Sequence, residues 1–142
     1  MDKTIACYSR REVERGIRFK GSYALISIRD PGSPAVRIPK QSGLVEVLEL
    51  QFHDAEPTSS MTLPSGIEII TEDLAFQIAE FVRRHHTVVD GFAIHCEQGM
   101  SRSPAVGAAI ARYLKQPHER YWQEHQPNRY VYELTLEALE SV

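Results

Sequence analysis

The chain has 142 residues, a mass of 16.1 kDa and a formal charge of −3, from 16 basic and 19 acidic side chains. That length supports one domain with a sizeable core, expected over residues 1–142, and leaves no room for a second. A net acidic chain lacks the basic surface of a general nucleic-acid binder, and 42% apolar with 25% charged residues excludes extended disorder.

The two cysteines, Cys7 and Cys96, cannot make a disulfide framework. They fit a reducing compartment, so a cytoplasmic location is expected. The apolar run from Thr4 to Tyr8 is too short for a signal peptide and meets Arg10 and Arg11. Residues 104–111 form the best apolar run, about half the length a membrane span needs. No membrane partner is therefore expected.

In chain order, Ser9 and Glu12 have the spacing of a capping box, with Gly16 placed to stop a short helix. Residues 23–28 read as a buried strand, rich in aliphatic and aromatic side chains. Asp30, Pro31, Gly32 and Pro34 then break regular structure. Over residues 45–52, Leu48, Leu50 and Phe52 share one face of a strand and Glu49 and Gln51 the other. Residues 53–66 are a loop rich in Ser, Thr and Pro. Thr71 can cap a helix near residues 72–86, in which Leu74, Ile78, Phe81 and Val82 follow helical spacing. Asp90 and Gly91 turn the chain into a short apolar strand, residues 92–95. A loop leads to a helix opened by Ser103 and Pro104, where a missing N–H has no partner to lose. Further helices are expected near residues 118–125 and 129–140. This alternation implies an α/β domain whose central, largely parallel sheet of about four strands is flanked by helices. Ligands bind such sheets at the carboxyl ends of the strands.

The loop from Cys96 to Arg102 leaves such an end and enters a helix. A helix N-terminus offers unpaired N–H groups and a partial positive charge, and so favours an anion. Gly99 lets the backbone curl and approach a ligand closely. The planar fork of Arg102 can hold two phosphate oxygens. Cys96 opens the same loop, where these donors favour thiolate over thiol and make it a poised nucleophile. A bare Cys-x5-Arg pair is weak evidence, since a strand-end Cys is usually a small buried hydrophobe. The preceding strand, the internal Gly, the Arg at the helix start and the hydroxyl after it raise the case together.

The segment His95, Cys96, Gly99, Arg102 and Ser103 resembles the phosphate-binding loop of the cysteine-based protein tyrosine phosphatases, and its Ser-Arg-Ser-Pro ending looks most like the dual-specificity branch. Gln126, Pro127 and Asn128 before a helix are similar to a Pro-Asn segment of that branch. The resemblance implies a metal-independent phosphomonoesterase that needs no cofactor and acts on phosphotyrosine, and on phosphoserine or phosphothreonine as well. Cys96 would attack phosphorus and form a phosphocysteine. Arg102 would bind the equatorial oxygens, with the backbone N–H groups of Glu97, Gln98, Gly99, Met100, Ser101 and Arg102 completing the cradle. Ser103 would ease departure of the sulfur, and His95 would order the loop. The family also uses an Asp on the loop after the preceding strand as general acid. Asp54 fits that place, Glu56 is a neighbour that could substitute, and Asp30 lies one unit earlier.

The expected partner is a phosphorylated protein or small phosphomonoester. The loop interior carries Glu97, Gln98, Met100 and Ser101, none basic, which argues against polyphosphorylated inositides. Two rival readings keep the anion loop: a phosphate-recognising module without turnover, and sulfur transfer or arsenate reduction. Cys7 is read as a structural thiol, with pairing to Cys96 as the alternative. The adjacent His85 and His86 point to different faces and are not read as a metal pair.

Overall fold

A computed structural model describes residues 2–57 and 63–141. Four strands form one sheet: β1 (Thr4–Ser9), β2 (Tyr23–Arg29), β3 (Leu44–Gln51) and β4 (Gly91–Cys96). Their order is β1-β4-β2-β3 and every pair is parallel. The helices are α1 (Arg10–Arg15), α2 (Glu72–His85), α3 (Arg102–Tyr113), α4 (Arg120–Glu124) and α5 (Arg129–Glu140).

The expected helices and strands occur, with α4 shorter than its sequence signal. Ser9 caps α1 in a reciprocal pair with Glu12, and Thr71 accepts the Leu74 N–H at the start of α2. Strand β1 goes beyond the expectation for residues 4–8. It lies at the sheet edge beside β4, and half-buried side chains along most of its length give no alternation to read.

The sheet separates two cores. On one face Ile26, Ile28, Leu50, Phe52, Phe92 and Ile94 pack with residues of α2, α3 and α5. On the other, Tyr23, Leu25 and Ala93 pack with Val13, Ile17 and Val36. Val36 belongs to the segment 30–43, which joins β2 to β3 without a helix among its residues. β2 and β4 are therefore buried on both faces, as central parallel strands are. Burial on both sides fixes where β2 and β4 end, and so where Asp30 and Cys96 stand.

Candidate active site

β4 ends at Cys96 and α3 begins at Arg102. Between them the chain turns at Gly99, whose φ is +77°. A Cβ there would stand 2.8 Å from the Tyr8 carbonyl carbon and 2.9 Å from the Ser9 nitrogen. The left-handed backbone and this close approach to β1 both require glycine.

The sulfur of Cys96 is buried beneath this loop. The Gly99 N–H donates to it over 3.2 Å, and Ser103 Oγ lies 3.3 Å away. The sulfur thus sits within reach of a main-chain donor and a hydroxyl at the mouth of α3. The His95 ring links two strands: Nδ1 donates to the Cys96 carbonyl over 3.3 Å, and Nε2 accepts from Ser27 Oγ at 2.6 Å. Burial pushes the His95 pKa down from its ordinary value, which matches a neutral ring with one donor and one acceptor nitrogen.

Arg102 is 5% exposed. Its Nη1 donates to Asp30 Oδ1 at 2.7 Å and to the Phe52 carbonyl at 2.6 Å. Both anchors hold one edge of the guanidinium. Its Nε has no partner among the described residues. A buried guanidinium donor without an acceptor costs free energy unless a ligand meets it. Arg102 lines a cleft of about 370 Å³ together with Cys96, Asp30, Asp54, His53 and Met100. Glu97, Gln98 and Ser101 complete this part of the wall.

Asp54 is fixed at the cleft by two donors on one oxygen. Ser101 Oγ lies 2.8 Å and Asn128 Nδ2 2.9 Å from Oδ1. Ser101 therefore gives its hydroxyl to Asp54 and makes no side-chain cap for α3. Glu56 is placed differently: its Oε1 accepts the N–H groups of Arg129 and Tyr130 at the start of α5. Asp30 holds Arg102. Of the three carboxylates that could serve as general acid, Asp54 alone lines the cleft while bonding neither Arg102 nor the main-chain N–H groups of a helix; its partners are the side chains of Ser101 and Asn128.

Two further residues enter the site, His53 without a signal in the sequence and Asn128 from a segment noted only for its resemblance. His53 lines the cleft, with Nδ1 accepting the Glu68 N–H at 2.9 Å. Asn128 sits in the Pro-Asn segment and carries Asp54, although nothing in that segment alone names its partner. Cys7 lies outside the cleft lining. Its S–H donates to the Ser103 carbonyl over 3.4 Å, and burial pushes its pKa up to about 12. Both cysteines are free. No cluster of three or more metal-ligating side chains occurs among the described residues. Among the same residues no helix is long and apolar enough to cross a membrane.

No protein-family model and no curated protein matches the chain. Solved structures do resemble it. Human tyrosine phosphatase-like serine/threonine/tyrosine-interacting protein is 21% identical with a TM-score of 0.53, over 82% of this chain and 76% of that one. Human DUSP28 is 14% identical with a TM-score of 0.56, over 96% and 88%. PTPMT1, solved in complex with PI(5)P, is 15% identical with a TM-score of 0.56, over 98% and 92%. At these identities the likeness is one of fold.

Proposed function

From a chain that has the fold of the cysteine-based tyrosine phosphatases, we propose a metal-independent phosphatase that hydrolyses phosphomonoesters on protein through a phosphocysteine. The observation that carries this reading is the setting of Cys96. Its sulfur lies under the Gly99 N–H and beside Ser103 Oγ, at the start of a helix without a side-chain cap, in a cleft shared with Arg102 Nε, which has no partner among the described residues.

The phosphate seats against the loop N–H groups of residues 97–102, with Arg102 Nε donating to one oxygen. The Cys96 thiolate attacks phosphorus, forming the S–P bond as the P–O bond to the leaving group breaks. Asp54, protonated, gives its proton to the leaving oxygen. Water then attacks the phosphocysteine, Asp54 takes a proton from it, and the S–P bond breaks. Ser103 Oγ–H donates to the departing sulfur and returns Cys96 as thiolate. The loop donors stabilise the equatorial charge of both transition states and are in place before reaction.

The substrate class includes phosphotyrosine, with phosphoserine and phosphothreonine admitted by the same cleft. Both free thiols fit a reducing, cytoplasmic setting. Turnover of an aryl phosphate in the presence of a chelator tests the reading. We expect hydrolysis that is lost in Cys96→Ser. Undiminished hydrolysis in that variant would reject it. One structural neighbour is named as an interacting protein. A non-hydrolysing phosphate reader is thus the second reading, distinguished by phosphate binding without turnover.

A further inference from the structure

The charge around the cleft is unusual for a site that receives a phosphate dianion. Asp30, Asp54 and Glu97 line it against one arginine, Arg102, which Asp30 already pairs at 2.7 Å. Glu56 stands in the neighbouring hollow with Asp54 and Ser101. The nearby arginines are committed. Arg10 pairs with Glu14 at 3.3 Å and Glu97 at 3.5 Å. Arg29 donates to the Ser33 carbonyl, and Arg129 lies 5.5 Å from the Trp122 ring centre. None of these three lines the cleft, nor do Arg11, Arg15 and Arg18. Residues 58–62 are all uncharged, so that segment adds no cation.

Acidic side chains alone would identify no ligand. The independent observation is Arg102 Nε, buried at the cleft and without an acceptor among the described residues. It calls for an anion. Even with Asp30 paired to Arg102 and Glu97 to Arg10, Asp54 at the cleft and Glu56 beside it leave the surroundings acidic, which disfavours negative charge beyond that anion. Asp30, Glu56 and Glu97 are also held in place through one oxygen each. Asp30 is fixed through Oδ1 on Arg102, and Glu56 through Oε1 on the start of α5. Glu97 is fixed through Oε2 on the Asp30 N–H and Arg10. The second oxygen of each has no hydrogen-bond partner among the described residues. A ligand that carries one phosphate with positive charge beside it satisfies both conditions.

Resting on the phosphatase reading above, we propose that the chain selects phosphopeptides whose phosphorylated residue is flanked by lysine or arginine, and that Asp30, Glu97 and Glu56 receive those cations. Fixed charges bordering a cleft act on affinity and on encounter rate, and both effects weaken with salt.

The test uses pairs of phosphotyrosine peptides that differ only in having Arg and Lys, or Asp and Glu, on either side of the phosphorylated residue. The full chain carrying Cys96→Ser binds them without consuming them, read by fluorescence anisotropy. The basic peptide is expected to bind about tenfold tighter at low salt. The gap should close as salt rises, and the unphosphorylated basic peptide should bind far more weakly. Glu97→Gln in the same background should narrow the gap. Equal binding of the two peptides, or preference for the acidic one, would overturn the proposal. So would a gap that persists without the phosphate, which would be general attraction to an acidic chain. Because binding is read without turnover, this result is separate from the aryl phosphate assay. A chain that hydrolyses the aryl ester and shows no charge preference loses this inference alone. One that prefers the basic peptide and never turns over loses the phosphatase reading alone.

Discussion

Two helix starts lie side by side, α3 at the cleft and α5 at the neighbouring hollow, and the chain treats them in opposite ways. At α5, Asn128 Oδ1 accepts the Val131 N–H at 3.0 Å, and Glu56 accepts the N–H groups of Arg129 and Tyr130. Its positive end is met by the chain's own carboxylate. At α3, Ser101 makes no cap and turns its hydroxyl to Asp54. No carboxylate fills that end, and the thiol of Cys96 lies beneath it. A helix start left unmet costs stability, which the fold avoids at α1, α2 and α5 through side-chain caps. Under the proposed reading, Glu56 at α5 is a protein-borne version of the anion that α3 would take from outside.

Substitutions at the open end should therefore move activity, and those at the closed end stability. After the complete loss expected for Cys96→Ser, the largest effect is expected at Asp54. Asp54→Asn should slow hydrolysis of an alkyl phosphate by about 10²–10⁴-fold, and of p-nitrophenyl phosphate much less, because that leaving group needs no proton. Equal losses on both esters would remove Asp54 from the role. Next comes Arg102→Lys, expected to lower kcat/KM by about 10²–10³-fold while the melting temperature moves little. Asp30→Asn should raise KM by about tenfold, since Arg102 loses a charged anchor. Steady-state kinetics on one aryl ester reads both variants.

At the closed end, Asn128→Ala should cost about 1 kcal/mol of stability in urea unfolding, the usual value of a lost N-cap. It should also lower turnover, because Asn128 holds Asp54 as well. Glu56→Gln should lower stability by less, about 0.3–1 kcal/mol, with turnover of the aryl ester kept. If Glu56→Gln stopped turnover instead, the division between the two helix starts would fail.

The smallest effect concerns pH. Burial lowers the pKa of His95 in the folded chain, so the unfolded chain binds the proton first as pH falls. Stability should decline below about pH 6.5, the value of an unperturbed His, and level off once the folded form also protonates. Urea midpoints between pH 7.5 and 5 check this, and His95→Gln should flatten the curve.

What the sequence disclosed follows the range of the interactions. The capping box at Ser9 and the cap at Thr71 are local, and both helices start where those residues place them. The loop from Cys96 to Arg102 is equally local, and its strand, turn and helix stand in the expected order. The contacts that shape the rest of the site span the chain. Asp30 reaches Arg102 across 72 positions, and Asn128 reaches Asp54 across 74. Neither carboxylate differs locally from an ordinary loop Asp, so their division of labour emerges only when β2, β3 and α5 converge. The edge strand β1 and the core packing of segment 30–43, whose opening break was expected, stayed hidden for another reason. One has no alternating burial, and the other packs Val36 into a core while being rich in Pro and Gly.

The most direct measurement is rapid acid quenching during turnover of an aryl phosphate, followed by peptide mass analysis. The account predicts one phosphoryl group on the peptide carrying Cys96, formed at the rate of the first step, with Cys7 unmodified. Steady turnover with no phosphorylated Cys96 at any time point, or a phosphoryl group found on another residue, would contradict it.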